Sequence, residues 1–527
     1  MANISIHGSH NASVAIEREN NILTIIEIER ILNYKNLGIS QYKPAHTRDY
    51  LLPFVLDFVQ KEFGISEFEN CYYMDTNRYS TDLEYNCHES IPARNYIRGS
   101  HHLSHAAGTF YQSSYREAIV FSFDGGGNDG FFNVYHASRD SNIELIGKHD
   151  VDLGFPYMVF GAFLKDIKYE PDLLNGNLVY PGKLMGLCAF GKVIDGVLPL
   201  FKDYYHYTKT SIANGYYNCE LNRIEDALGV KFDERNRLEG QIAFDIAATS
   251  QRAFEECFLE LAQPYFDRYP HLPICITGGC ALNIILNTRI RTEFGKDIFV
   301  APNPSDCGLA MGMLANHIRP EGPIDITYGG VPILDKYTLL GYVEKYQADR
   351  LCIHRLSADL LQGSVVGIVR NNAEHGPRAL GNRSIFCNPS IPDMKDILNY
   401  KIKNREWYRP FAPVCRLEDV NKYFDFEGES RFMTFCPQVR QEWIPRLKTI
   451  VHVDGSARVQ TVTKDQNPWL YNLLTEFEKL SGIGILVNTS LNVDGKPIVS
   501  TYGEAIDIFN RSKMDGLVLG DYYFVKK

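Results

Sequence analysis

This 527-residue sequence lacks several features that would each have placed it in a familiar class. It has no run of about 18 uncharged apolar residues, the length needed to span a bilayer. Its opening, Met1-Ala-Asn-Ile-Ser-Ile-His-Gly8, has neither a basic n-region nor an unbroken apolar segment of the kind that directs secretion. The expectation is a cytoplasmic protein with no membrane partner. Positive charge is in deficit: 54 Lys and Arg stand against 64 Asp and Glu, a net charge of −10. Nucleic acid is held mainly by clustered Lys and Arg, so it is excluded as an expected partner and a small molecule takes its place. The 12 cysteines are scattered singly from Cys71 to Cys436 with no C-x-x-C pair, which excludes a zinc ribbon and a thioredoxin-like motif. Reduced, mostly buried thiols are the simple reading. Sequons such as those at Asn11, Asn382 and Asn488 carry no weight without secretion. Fixed-period repeats and low-complexity tracts are missing as well.

What is present is an ordinary globular composition, 45% hydrophobic and 22% charged, on a chain long enough for two or more domains. Short β-branched runs alternate with turns and helical stretches, the pattern of an α/β fold. Ile4–His7, Ser13–Ile16 and Ile22–Glu27 read as a meander around the turn Gly8-Ser-His-Asn11. Ala118–Phe123 and Pro273–Thr277 read as strands that end in the glycine turns 125–127 and 278–279. Ile298–Ala301 leads through Pro302-Asn-Pro-Ser-Asp306 into the apolar helix Leu309–Ala315. Residues 318–345 carry three prolines and no sustained period, so a first domain is drawn over 1–345 and a second over 346–527. The second opens with Ser364–Arg370 and closes with Gly484–Val487 and Gly516–Val525, again α/β.

Ser100 is a fair N-cap for a helix beginning His101-His-Leu-Ser-His105, which sets His101 and His105 four apart on one face, where both imidazoles can meet one cation. His102/His105 is the alternative pair. Asp124 and Asp306 each lie at the C-terminal end of an expected strand, the edge where α/β sheets hold ligands. Two His and two Asp suit iron, zinc or manganese. Gly125, Gly126, Gly127, Gly278 and Gly279 allow backbone N–H groups to approach phosphate, although any tight turn also favours glycine.

Eleven strings in one order carry a resemblance that runs nearly end to end. They are His10–Ser13 (HNAS), Glu29-Arg30, His101–His105 (HHLSH), Asp124–Gly127 (DGGG), Gly182–Gly191 (GKLMGLCAFG), Thr277–Asn283 (TGGCALN), Asn303–Asp306 (NPSD), Glu374–Ser384 (EHGPRALGNRS), Lys403–Pro413 (KNREWYRPFAP), Asp454–Gln460 (DGSARVQ) and Asn488–Asn492 (NTSLN). The set resembles the NodU/CmcH/TobZ family of O-carbamoyltransferases. That resemblance implies an actin-like first domain, similar to the tRNA-threonylcarbamoyl proteins, and a YrdC-like second domain. It implies two steps: carbamoyl phosphate and ATP give carbamoyl-adenylate and pyrophosphate in the second domain, and the first passes the carbamoyl group to an acceptor hydroxyl. ATP, accompanied by magnesium, and carbamoyl phosphate are the implied co-substrates. A divalent metal is the implied cofactor, iron foremost with zinc or manganese as alternatives, and the acceptor is a small natural-product or sugar-like molecule. A homodimer is compatible with the reading.

By matching positions, His10 is the candidate general base. His101, His105, Asp124 and Asp306 are the metal ligands, and Lys183, Gly186 and Asn283 join the two glycine turns at the nucleotide. Arg378, Lys403, Arg409, Arg458 and Asn488 are expected at carbamoyl phosphate and the adenylate, within a cluster of cations that also includes Arg383 and Arg405. The sequence departs from the family at Asn11, where Asp is usual, and at Asn371-Asn372, where a Gly-Arg pair is general. The stretch from Gly154 to Gly182 also departs and is read as shaping the acceptor pocket. A tRNA-modifying enzyme and an actin-like kinase are the rival readings. The first calls for a basic surface, and the second has no use for a cationic second domain.

Overall fold

The structure, a computed structural model, describes residues 1–39, 47–75, 82–169, 173–207, 219–493 and 495–526. The chain divides into two compact units, Met1–Gly329 and Gly330–Lys527. Residues 330–345, drawn with the first domain from sequence, are therefore part of the second unit. There the Asp335 carboxylate accepts the N–H groups of Tyr502 (2.7 Å) and Gly503 (2.9 Å) at the start of the helix Tyr502–Arg511.

Among the described residues the first unit holds two five-stranded sheets. In the first, β1 (Ala2–His7), β2 (Ser13–Arg18), β3 (Asn21–Glu27), β4 (Phe68–Met74) and β5 (Ala93–Arg98) lie in the order β3-β2-β1-β4-β5. Strands β1 to β3 pair antiparallel, whereas β4 and β5 run parallel to β1. The second sheet is built from β6 (Glu117–Gly127), β7 (Gly130–Ser138), β8 (Ile143–His149), β9 (Ile274–Thr277) and β10 (Ile298–Phe299), in the order β8-β7-β6-β9-β10. It repeats the same senses: three antiparallel strands, then two parallel ones. One topology used twice in a unit is the duplicated, actin-like architecture that the resemblance implies. Both β1 and β9 are buried along their whole length, as befits α/β strands covered on two faces.

Two helices bring the sheets together in one core. His101–Phe110 contributes Ala106, Ala107 and Phe110, and Leu309–Ile318 contributes Ala310, Met311 and Leu314, packed with Ala15 and Ile25 of the first sheet and Val120 and Ala137 of the second. The helices touch backbone to backbone, because a Cβ at Gly312 would stand 2.0 Å from the Ser104 carbonyl oxygen. The 28-residue helix Gln241–Arg268 also packs on the second sheet, where Phe258 lies 5.5, 4.8 and 5.8 Å from Phe121, Phe123 and Phe132.

The second unit is built on a mixed eight-stranded sheet, counted among the described residues. Its strands are β11 (Asp349–Arg350), β12 (Val366–Val369), β13 (Arg383–Cys387), β14 (Ala412–Arg416), β15 (Gln460–Val462), β16 (Ile485–Ser490), β17 (Gly516–Leu519) and β18 (Tyr522–Val525). Their order is β11-β18-β17-β12-β13-β16-β14-β15. The closing run Gly516–Val525 is a hairpin rather than one element, folded back at Gly520. No helix among the described residues is long and apolar enough to cross a membrane.

Candidate active site

The helix His101–Phe110 begins where the sequence places it, but Ser100 does not cap it through its side chain. The first free N–H groups go instead to the loop after β6: Asn128 Oδ1 takes that of His101 (3.0 Å) and the Asp129 carboxylate that of His102 (3.0 Å). These two bonds fix the helix start beneath β6. A Cβ at Gly127 would fall 2.4 Å from His101 Cγ, so only glycine lets the strand pass over that ring.

His101, His105, Asp124 and Asp306 converge as the sequence reading expects, all four buried, with one ligand atom from each lying within 4.8 Å of the others. Asp124 Oδ2 is 2.8 Å from His101 Nε2 and 3.2 Å from His105 Nε2. Asp306 Oδ1 is 3.4 Å from His105 Nε2 and 3.9 Å from His101 Nε2. Asp306 is delivered by the short 3₁₀ turn Asp306–Gly308 that leads into the helix Leu309–Ile318. Burial alone would raise both carboxyls, but the neighbouring imidazoles hold them well below the usual carboxylate range. Burial lowers the His105 imidazole, yet the same two carboxylates outweigh it and carry the group up to about 9. Two buried carboxylates kept ionised beside two imidazole nitrogens make a donor set that fits a divalent cation. His102 stands apart: its Nδ1 meets Ser122 Oγ at 2.8 Å, and burial pushes it down to about 4. The pair that converges with Asp124 and Asp306 is therefore His101/His105, and not His102/His105.

The turn after β1 carries His10, whose Nε2 lies 3.4 Å from Asp306 Oδ2. Its Nδ1 lies 3.1 Å from Asn11 Oδ1. Asn11 sits at φ +56°, a left-handed conformation that Asn and Asp tolerate better than most residues. The substitution at this position thus keeps an oxygen against the His10 ring and removes only the charge. His7 was not singled out from sequence: it is buried at the end of β1, with Nε2 3.6 Å from Asp306 Oδ2 and 3.2 Å from the His10 carbonyl oxygen. Asp152 was missed too. Burial, helped by the Asp124 charge, raises its carboxyl to about 7 against two backbone hydrogen bonds, from Phe155 and Gly154.

The glycine turns divide by role. Gly278 has φ +92° and lies so close to the Phe123 carbonyl that a Cβ would stand 2.1 Å from it, a local demand of the strand crossing. A Cβ at Gly125 would meet nothing within 4 Å, and one at Gly279 only the Asp124 Cβ at 3.8 Å, so open space adjoins both. Gly126 at φ +113° donates its N–H to Asp124 Oδ1 (2.8 Å). Asn283 caps the helix Ile284–Phe294 through Leu286 N–H (3.0 Å) and exchanges amide bonds with Gln251. Lys183 and Gly186 lie within the helix Leu173–Leu187, where the Lys183 ammonium is 3.5 Å from the Lys168 carbonyl oxygen.

In the second unit the motif cations separate into scaffold and site. Arg383 is fully buried and donates to the carbonyls of Arg370, Asn371 and Asn382. Glu374 Oε1 collects the N–H groups of Leu380, Asn382 and Arg383. Lys403, assigned to carbamoyl phosphate from sequence, turns its ammonium to the oxygens of Ser490 and Asn492 and ties down that loop. Asn488 likewise positions its neighbours, donating to the Ala379 carbonyl (3.1 Å) and to Gln460 Oε1 (2.6 Å). Arg378 and Arg458 differ, for among the described residues neither guanidinium has a hydrogen-bond or ion-pair partner. Burial lowers both, Arg378 to about 10 with Arg409 adding to the effect, and Arg458 further through Arg378, Arg405 and Arg409. Among the described residues Arg409 pairs with Glu406 at 3.5 Å. Arginines arranged to repel one another are a grouping that an anion would compensate.

Residues 57–315 match the family described as Carbamoyltransferase N-terminus, and residues 357–526 match Carbamoyltransferase C-terminus. The chain is 29% identical to the nodulation protein NolNO of Sinorhizobium fredii, over 98% of this chain and 79% of that protein. It is 31% identical to the nodulation protein NolO of Bradyrhizobium diazoefficiens, over 81% of this chain and 79% of that one. It is also 32% identical to 3'-hydroxymethylcephem-O-carbamoyltransferase of Streptomyces clavuligerus, over 65% of this chain and 64% of that one. Matches to both halves, in sequence order and joined in single relatives along most of the chain, establish that this protein belongs to the carbamoyltransferase family and is a transferase enzyme.

Proposed function

We propose that the protein is an ATP-dependent O-carbamoyltransferase whose second, YrdC-like unit makes carbamoyl-adenylate and whose first unit transfers the carbamoyl group to a hydroxyl of a small natural-product or sugar-like acceptor. The clustered guanidinium groups of Arg378 and Arg458, which make no hydrogen bond or ion pair among the described residues, carry this reading. A receptor of like charges suits a pair of polyanions, carbamoyl phosphate and ATP, and would offset negative charge as an oxygen attacks the α-phosphate. Carbamoyl phosphate and ATP hold one phosphoryl group more than carbamoyl-adenylate and pyrophosphate, so one water enters and inorganic phosphate also leaves. Arg409 completes the receptor, while Lys403, Asn488, Glu374 and Arg383 hold its loops in place.

In the first unit, the acceptor hydroxyl loses its proton as it attacks the carbonyl carbon, and AMP departs. His10 Nε2 receives that proton: Asn11 Oδ1 accepts from Nδ1–H and leaves Nε2 as the basic nitrogen, and Asp306 stabilises the resulting imidazolium. His101, His105, Asp124 and Asp306 would hold a divalent metal, iron foremost with zinc or manganese as alternatives. When bound, such an ion supplies Lewis-acid polarisation of phosphate or carbonyl oxygen. The open faces at Gly125 and Gly279 leave room for the nucleotide beside this cluster.

The test is pyrophosphate release from ATP with and without carbamoyl phosphate, in wild type and in Arg458→Ala. Release is expected to require carbamoyl phosphate and to fall by about 10²–10³-fold in the variant, the usual cost of removing one positioned charge-stabilising donor. Release that ignores carbamoyl phosphate would overturn the reading.

A further inference from the structure

We infer that the first unit carries a second metal site, unrelated to the histidine–carboxylate cluster, in which His206, Cys257 and Glu260 bind a thiophilic divalent cation, zinc foremost. The helix Leu198–Tyr207 supplies His206, and the long helix Gln241–Arg268 supplies Cys257 and Glu260, three residues apart and so on one face. Their three ligand atoms lie within 4.8 Å of one another. Cys257 Sγ is 3.8 Å from His206 Nε2, and His206 Nε2 is 3.8 Å from Glu260 Oε2. With zinc bonds of about 2.3 Å to sulfur and about 2.0–2.1 Å to nitrogen or oxygen, a tetrahedral ion separates S and N by about 3.6 Å and N and O by about 3.4 Å. Along the Cys257–His206 and His206–Glu260 edges the ligand atoms thus need to close by only a few tenths of an ångström.

The local charge is suited to a cation. Lys202 pairs with the other carboxylate oxygen of Glu260, Oε1, which leaves Oε2 turned to His206. The Glu256 carboxylate, 3.5 Å from Lys202, offsets that ammonium. Cys257 is fully buried, whereas His206 and Glu260 line a surface depression and are reached from solvent. Ions enter through that depression, and the outer coordination position is left to water. Binding replaces the thiol proton: the S–H bond breaks, the sulfur–metal bond forms, and the proton leaves to solvent. The ion would clip the two helices together. A buried cysteine is ordinarily core and nothing else; the imidazole and carboxylate converging on it from two helices set Cys257 apart.

The two metal sites are distinguishable because only this one contains sulfur. Full-length protein stripped with a chelator is titrated with cobalt(II), following the near-ultraviolet thiolate-to-cobalt absorption. Wild type is expected to show the band and Cys257→Ser to lose it, together with one equivalent of bound cobalt. His206→Ala, on the accessible side, is expected to weaken the band's apparent affinity by at least about 10–100-fold, the loss associated with disturbing even an outer-shell partner. No band in saturated wild type, a band that survives in Cys257→Ser, or an unchanged titration in His206→Ala overturns the proposal. If Cys257→Ser does not fold by circular dichroism, His206→Ala decides alone. The outcome does not depend on the carbamoyl-transfer reading, since no step there uses these residues.

Discussion

The histidine–carboxylate cluster of the first unit is buried and the arginine cluster of the second is half-buried, and their charges are balanced in opposite ways. Around Asp124 and Asp306, opposite charges face one another, and each group holds its neighbour in the charged form. Around Arg458, like charges face one another, and Arg378, Arg405 and Arg409 all act against its protonated state. Removing charge from water is costly unless it is compensated. The first cluster is compensated within the fold, whereas on the proposed reading the second would draw its compensation from an anionic ligand. On the proposed reading, one unit would hold a cation and manage a proton, and the other would gather phosphates.

Four experiments would break or sharpen this contrast. The largest effect is expected for Arg378→Ala: carbamoyl-phosphate-dependent pyrophosphate release should fall about 10²–10³-fold while the melting temperature rises, because a repulsive, unpaired charge has gone. A melting temperature that falls would show that the guanidinium is paired within the fold. His105→Ala should lower carbamoyl transfer about 100-fold or more and abolish metal retention at the cluster by elemental analysis, yet leave pyrophosphate release within about twofold of wild type. Gly312→Ala should destabilise the first unit by about 2–3 kcal/mol in denaturant unfolding, since the added methyl overlaps the Ser104 carbonyl and forces apart the helices that carry His105 and follow Asp306. Unfolding indistinguishable from wild type would contradict that packing.

The smallest effect concerns Asp152. Its carboxyl titrates at about 7 in the folded chain and at about 4 when unfolded, so between those values the folded state binds more protons. Its contribution to stability is then lost as pH rises from about 4 to about 7. Asp152→Asn keeps an acceptor for the Gly154 and Phe155 N–H groups and removes this dependence. The melting-temperature advantage of the variant over wild type should grow across that window and level off above it. A constant difference would contradict the raised pKa.

Much of the fold was legible because it rests on local pattern. The strand before Asp124, the strand ending at Thr277 and the apolar helix after Asp306 announce themselves by unbroken apolar runs closed by glycine or Pro-Asn-Pro turns. His101 and His105 were legible for a similar reason, since four-residue spacing defines one helix face. Asp306 was matched to them by its place at the C-terminal end of an expected strand and by the family resemblance, because 182 residues separate it from Asp124 and no spacing rule spans that distance. The second-unit cations show where sequence stops. Arg378 and Arg383 share one motif, yet Arg383 spends its terminal nitrogens on three carbonyls, whereas among the described residues Arg378 makes no hydrogen bond or ion pair. Residue type does not encode that difference; the partners created by folding do. His7, Asp152 and the His206–Cys257–Glu260 group were passed over because each gains meaning only from residues distant in the chain.

The most direct test of the division of labour measures carbamoyl-phosphate-dependent pyrophosphate release side by side in His101→Ala and Arg458→Ala. The account predicts near-wild-type release in His101→Ala, with no carbamoylated acceptor formed, and release reduced by two to three orders of magnitude, about 10²–10³-fold, in Arg458→Ala. Equal loss of pyrophosphate release in both variants would contradict it.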